Sequence, residues 1–336
     1  MIRDNYQLKQ FNTFGISASA RRFITLESVT EAEELLRSGE LKDEKVLILG
    51  GGSNILFTED FDGTVIHPLF DSIEMVAKGE NLVFVAAEAG AIWDDMVAWC
   101  VERDLGGLEN LSYIPGNVGA APIQNIGAYG AEISHTISKV RALSLETGET
   151  VDFTREECGF GYRNSIFKNE MKGKFLITVV FFELERMPGS FNLEYGNLRD
   201  IVEEAGEINL YNVRRAVTSI RREKLPEPAD IGNAGSFFKN PVISAGAMEK
   251  ISGQYSNIPS WPAGDNGYKI AAAWLIEKCG FKGYRQGDAG VHDKQSLVLV
   301  NHGNATGKEI VSLALIISRT VKEKFEIDLE TEVNII

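Results

Sequence analysis

Along the chain, apolar residues fall into short strand-like runs separated by a few amphipathic helices. Ser28-Val-Thr-Glu31 has the spacing of a capping box, Leu35 and Leu36 add apolar positions in the next turn, and Gly39 can end the helix they predict. Residues 45–49 read as a buried strand that runs straight into Gly50-Gly-Gly-Ser-Asn54. Strands are also expected over 64–67 and 82–87, and a helix over 92–103 with Met96, Val97 and Val101 on one face. Residues 105–133 are too rich in Gly, Pro, Asn and small side chains for one regular element, and a loop of that length in a compact domain is usually functional.

Segments 139–145 and 149–153 flank Glu146-Thr-Gly148 as a β-hairpin, and 175–184 is strongly strand-like. Residues 192–206 interrupt the pattern before a long helix over 210–224, basic near its end where cations suit the dipole. Leu225-Pro-Glu-Pro228 reads as a domain junction. Beyond it a helix is expected with Ile270, Ala273, Trp274 and Ile276 on its apolar face. A strand over 296–300, a helix over 306–325 opened by Thr306, and an alternating strand over 327–336 complete a mixed α and β pattern without internal repeats.

Composition narrows the function. The chain has 336 residues, of which 44% are hydrophobic and 24% charged, which suits a soluble globular protein of two or three domains. Lys and Arg number 34 against 48 Asp and Glu, and the resulting charge of −14 has the wrong sign for coating nucleic acid. Cys100, Cys158 and Cys279 form no CxxC pair, so neither a disulfide framework nor a cysteine zinc site is suggested, and a reducing cytoplasm is expected. The start of the chain lacks the apolar core of a signal peptide, and no run approaches a membrane span. His67, His135, His292 and His302 show no metal-site spacing.

Five clusters remain as candidate chemistry. Gly50, Gly51, Gly52, Ser53 and Asn54 follow a strand, and successive glycines let backbone N–H groups form an anion nest, although the run lacks both the Rossmann and the Walker pattern and can also be a tight turn. The stretch 114–130 joins four glycines and two prolines to Gln124, Asn125 and Tyr129, polar groups able to read a ligand; alternatively it is a structural Ω-loop. One extended dinucleotide would explain both loops together. Arg163, between Tyr162 and Asn164, can clamp a carboxylate or merely stack on the tyrosine. Ser236, in Gly232-Asn-Ala-Gly-Ser-Phe-Phe-Lys-Asn240, has no nucleophile-elbow context and can be a proton donor or a turn residue. Period-two geometry puts Glu330 and Glu332 on one face of the terminal strand.

In this order, NTFGI at 12–16, GGGSN, PGNVGAAPIQNIGAYG, GYRNSIF, GNAGSFFKNP and the terminal ETEV resemble the MurB-type UDP-N-acetylenolpyruvoylglucosamine reductase family over nearly the whole chain. The resemblance implies an α+β fold: an FAD-binding unit of two subdomains of the vanillyl-alcohol-oxidase (PCMH) type, at 1–73 and 74–224, and a C-terminal substrate-binding domain at 225–326, with 327–336 returning to the first. It marks 190–206 as the insertion of the type I branch, in which Tyr195 closes over the nucleotide diphosphate. Non-covalent FAD is the implied cofactor and NADPH the hydride donor. The implied reaction reduces UDP-N-acetylglucosamine enolpyruvate to UDP-N-acetylmuramate in peptidoglycan precursor synthesis, with hydride reaching C3 and a proton reaching C2.

By the same resemblance, Gly50 to Asn54 cradle the FAD pyrophosphate with Pro115, Gly116, Asn117, Gly119, Ala120 and Ala121, and Gln124 and Asn125 join the cofactor set. Some members carry serines where Ala120 and Ala121 stand, so backbone N–H groups must serve there. Arg163, Ser236 and Glu332 match the catalytic trio, and Tyr129, Tyr195, Lys224, Asn240 and Gln295 the substrate contacts. A cytoplasmic monomer with small-molecule partners, no nucleic acid and no membrane is the implied setting. The alternatives are an FAD oxidase or dehydrogenase of the same fold acting on another substrate, and a non-catalytic nucleotide-sugar-binding protein.

Overall fold

The computed structural model describes residues 1–264 and 267–336. Its chain divides into two compact units, one of residues 1–6, 20–51 and 62–222, the other of residues 7–19, 52–61 and 223–336. Residues 327–336 group with 52–61 in the second unit, and it is there that the tail meets part of the 1–73 segment to which it was expected to return.

The first unit contains two sheets. One runs in the order Ile2–Gln7, Ser19–Leu26, Phe61–Pro68, Val46–Ile48, with the last two parallel. The helix Val29–Arg37 buries Ala32 and Leu36 among Ile24, Leu26 and Ile66. Ser28 caps it by accepting the Glu31 N–H, while the Glu31 carboxylate reaches back to the N–H of Glu27 rather than of Ser28. The second sheet is antiparallel, in the order Thr150–Thr154, Ile137–Ser144, Phe175–Arg186, Leu82–Glu88, Ile73–Lys78. Trp93, Met96, Val97 and Cys100 of the helix Trp93–Val101 fill one core with Val85, Val180 and Phe182. Burial pushes the thiols of Cys100 and Cys158 up to about 12, so both stay protonated and inert.

The segment 192–206, in which the hydrophobic pattern predicted no regular element, carries the helix Leu198–Glu204. Leu193, Leu198 and Val202 pack on Val213, Ala216, Val217 and Ile220 of the helix Leu210–Lys224, so the segment is a small helical layer with its own apolar core. Two turns with only three apolar anchors are too short for periodicity to reveal.

The second unit joins the sheet Gly232–Ser236, Val298–Asn301, Ala289–Val291, Arg285–Gln286 to a three-stranded sheet and to the helix Gly307–Phe325, which starts in the capping box of Thr306 and Glu309. Ile270 ends the strand Gly267–Ile270 instead of joining a helix face. The helix Ala272–Lys278 begins after it because the Asn240 side chain accepts the Ala272 N–H, and its buried residues are Ala272, Leu275 and Ile276. The terminal residues do not form one continuous strand: Asn334–Ile335 pair parallel to Ile55–Leu56, whereas Thr331 bridges Phe238. Two partners at two places break the alternation. Among the described residues no helix is long and apolar enough to cross a membrane.

Close backbone approach locks this unit. A Cβ on Gly307 would stand 1.8 Å from the Phe57 carbonyl oxygen. Gly307→Ala is therefore expected to destabilise the protein by about 1–3 kcal/mol, read as a lower urea midpoint; an unchanged midpoint would contradict the approach.

Candidate active site

In the first unit the two glycine-rich stretches meet. Leu49 donates its N–H to the Ile66 carbonyl, which fixes the strand end from which Gly50 and Gly51 emerge. A Cβ on Gly51 would lie 3.0 Å from Asn117 Oδ1 and 3.2 Å from the Gly116 Cα, and one on Gly50 3.1 Å from the same oxygen. Asn117 in turn donates from Nδ2 to the Gly90 carbonyl at 2.5 Å. Its backbone neighbours are stitched to the start of the helix Trp93–Val101 through Trp93 N–H to Gly116 O, Val118 N–H to Ala91 O and Gly119 N–H to Ala89 O.

This stitching corrects one expectation. The N–H groups of Gly119, Ala120 and Ala121, meant to replace serine hydroxyls at a phosphate, donate to the carbonyls of Ala89, Asn117 and Val118. The N–H groups of Gly50, Gly51 and Gly116 donate to no described residue. Those three donors fit a diphosphate.

Asn125 departs from its expected role as well. It is wholly buried, and its Nδ2 donates to the Glu132 carboxylate at 2.8 Å and the Gly161 carbonyl at 3.0 Å while its Oδ1 accepts the Ser134 N–H. The amide is engaged with protein, not turned toward a ligand. Gly161 and Asn164 exchange both backbone hydrogen bonds, which makes Tyr162-Arg163 the tip of a two-residue turn with Arg163 at φ +52°. Arg163 Nη2 donates to the Gly127 carbonyl at 2.7 Å.

Tyr129 and Tyr195 come together edge to face, ring centroids 5.5 Å apart. Asn110 holds both loops by donating to the carbonyls of Tyr129 and Asn192, each at 2.8 Å. Burial raises the Tyr129 hydroxyl pKa, so it is a donor at neutral pH. The sequence reading missed Arg221. It donates from Nε to the Tyr113 carbonyl at 2.9 Å, and burial first, then the charge of Arg163, lowers its pKa, while Tyr129 and Asp94 oppose that shift. Its only sequence signal was a place on the inner face of the helix Leu210–Lys224, where basic residues had been assigned to the dipole.

The second unit gathers another set. Phe237, fully buried, donates its N–H to Leu297 O and accepts the Glu332 N–H on its own carbonyl, each at 2.8 Å. One residue thus ties the turn bearing Gln295 to the tail bearing Glu332, with Ser236 beside it in register with Val298. The Ser236 hydroxyl is half-buried and bonded to no described residue. Glu330 and Glu332 part company: Glu330 is exposed and pairs with Lys239, whereas Glu332 is 9% exposed. Asn54 donates from its side chain to the Glu332 carbonyl and accepts the Asn334 N–H on its own. Gly52, at φ +61° and with a Cβ position 2.0 Å from Phe11 O, admits no other residue. Asn240 has its oxygen occupied by Ala272, and Lys224 ends its helix exposed to solvent.

Residues 227–336 match the family model of the UDP-N-acetylenolpyruvoylglucosamine reductase C-terminal domain, and residues 20–154 that of an FAD binding domain. A UDP-N-acetylenolpyruvoylglucosamine reductase of Flavobacterium johnsoniae is 47% identical over 100% of this chain and 99% of its own. The chain belongs to the UDP-N-acetylenolpyruvoylglucosamine reductase family. The Pseudomonas putida member is 45% identical over 99% of this chain and 98% of its own. The crystal structure of the Thermus caldophilus member, 23% identical, shares the fold with a TM-score of 0.69 over 100% of this chain and 98% of that one. The expected FAD-binding unit with a substrate-binding domain is therefore the architecture of this family member.

FAD loading tests the cradle. Gly51→Val, which sets a branched side chain against Asn117 and Gly116, is expected to cut flavin per purified chain well below one while leaving far-ultraviolet circular dichroism unchanged. Full flavin content would rule out this loop as the diphosphate site.

Proposed function

We propose that this chain reduces UDP-N-acetylglucosamine enolpyruvate to UDP-N-acetylmuramate with NADPH as donor, and that Ser236, Arg163 and Glu332 are its catalytic side chains. The observation that carries the reading is the half-buried Ser236 hydroxyl, bonded to no described residue, on the segment that Phe237 joins to the buried Glu332. FAD, when bound, supplies the two-electron relay between nicotinamide and the enolpyruvyl double bond.

The chain's own groups provide binding, field and proton. The N–H groups of Gly50, Gly51 and Gly116 hold the cofactor diphosphate. As C3 of the enolpyruvyl group gains hydride, negative charge grows at C2 and spreads into the carboxylate, and the guanidinium of Arg163 stabilises it there. A preorganised donor of this kind contributes about 2.7–4 kcal/mol in other enzymes. Ser236 then gives its hydroxyl proton to C2. A serine hydroxyl is a poor acid in water, so it serves only where the acceptor is a strong carbon base and the site is dry. Glu332 orders the site from the tail. Tyr129, Tyr195, Lys224, Asn240 through its Nδ2, and Gln295 bind the UDP-sugar, Lys224 by charge at the diphosphate. Supply of both nucleotide substrates argues for a cytoplasmic enzyme, and the net charge of −14 for a monomer.

The two half-reactions separate these roles under anaerobic conditions. Ser236→Ala is expected to leave flavin reduction by NADPH near normal and to slow reoxidation by the enolpyruvyl sugar about 10²- to 10⁴-fold; equal losses in both would remove Ser236 as the acid. Tyr195→Phe should weaken UDP-sugar binding with FAD content unchanged, and an effect confined to FAD content would move that loop to the cofactor.

A further inference from the structure

The hydrogen bonds around Arg163 close into a ring within the first unit. Arg163 donates to the Gly127 carbonyl, and Gly127 pairs with Glu132 across a short hairpin. The Glu132 carboxylate accepts one N–H of Asn125, and the same amide nitrogen donates to the Gly161 carbonyl, which begins the turn that carries Arg163. Ser165, at the other end of that turn, donates from Oγ to the Ile123 carbonyl at 2.7 Å.

Three properties of Asn125 are needed at once. Its backbone is left-handed at φ +47°, a region that asparagine tolerates better than most side chains. Its amide supplies two donated bonds and one accepted bond from a fully buried position. Aspartate loses both donors and sets a second carboxylate against Glu132; alanine keeps none of the bonds. The Gly127 side of the ring is equally tight, since a Cβ there would lie 3.1 Å from Arg163 Nη1.

We infer that Asn125 is a positioning residue for the reduction of the sugar substrate: through Gly161 and Glu132 it fixes the turn on which Arg163 stands, and it does not touch the cofactor. This rests on the catalytic reading of Arg163. Loosening the turn leaves the guanidinium present but displaced, and a displacement of about 1 Å can cost about 10²-fold in rate.

Asn125→Ala and Asn125→Asp, compared with Arg163→Lys, test it by flavin content and by the two half-reactions followed separately. The Asn125 variants are expected to hold one flavin per chain, to be reduced by NADPH within about twofold of the parent rate, and to be reoxidised by the enolpyruvyl sugar about tenfold or more slowly. Glu132→Ala, which leaves Asn125 in place but removes its anchor, is expected to show the same split at about threefold and decides the matter if the Asn125 variants do not fold. Equal losses in both half-reactions indicate a general structural role and overturn the inference. Loss of flavin from Glu132→Ala and the Asn125 variants alike overturns it in favour of a cofactor contact, and so does unchanged reoxidation in all three. If Arg163→Lys itself is reoxidised normally, the reading of Arg163 falls, and the positioning role with it.

Discussion

A left-handed backbone at non-glycine residues is the constraint on which the first unit's site depends. Tyr113, Asn125, Tyr129 and Arg163 all carry φ between +47° and +60°. Each such residue costs about 1–3 kcal/mol and persists only where its surroundings over-determine it. Here they do: Tyr113 receives Asp94 on its N–H and Arg221 on its carbonyl, Tyr129 is held by Asn110, and Asn125 and Arg163 share one ring of bonds. The geometry of the loops follows from polar side chains that are themselves buried, not from regular secondary structure.

That origin explains what could be read in the sequence. The helices Val29–Arg37, Leu210–Lys224 and Gly307–Phe325 announce themselves by periodicity and caps, and the hairpin Ile137–Ser144 with Thr150–Thr154 by its turn. The glycine loops were legible as places of close backbone approach, as at Gly51 and Gly52. What sequence reasoning could not see was which amide or N–H is already engaged. Asn125 and the N–H groups of 119–121 look like ligand groups in one dimension and are internal struts in three. Glu330 and Glu332 share a strand face only if the segment is a strand. Its two separate partners turn one carboxylate into solvent and bury the other.

The second unit solves the positioning problem differently. Its candidate groups do not sit on strained loops but on backbone ladders around two wholly buried phenylalanines. Phe237 uses its N–H on one neighbour and its carbonyl on the other, so the turn at Gln295 and the tail at Glu332 inherit the rigidity of one core residue. Asn233 secures the approach to Ser236 by accepting the Gly235 N–H and donating to the Ile231 carbonyl. A serine on such a frame has few ways to move.

Charge closes the argument. FAD, NADPH and a UDP-sugar are all anions, yet the chain carries a net −14. Net charge acts over the whole surface, where salt screens it within about 8 Å; recognition acts at the ligand. At the proposed site the chain would offer backbone dipoles at Gly50, Gly51 and Gly116, and guanidinium groups at Arg163 and Arg221 that are only partly solvated. Burial lowers the Arg221 pKa, and the nearby Arg163 charge lowers it further. Two cations so placed repel one another, and an arriving anion relieves that repulsion. An acidic protein can therefore bind anionic ligands without a basic surface, provided a few of its cations are held partly away from water at the ligand.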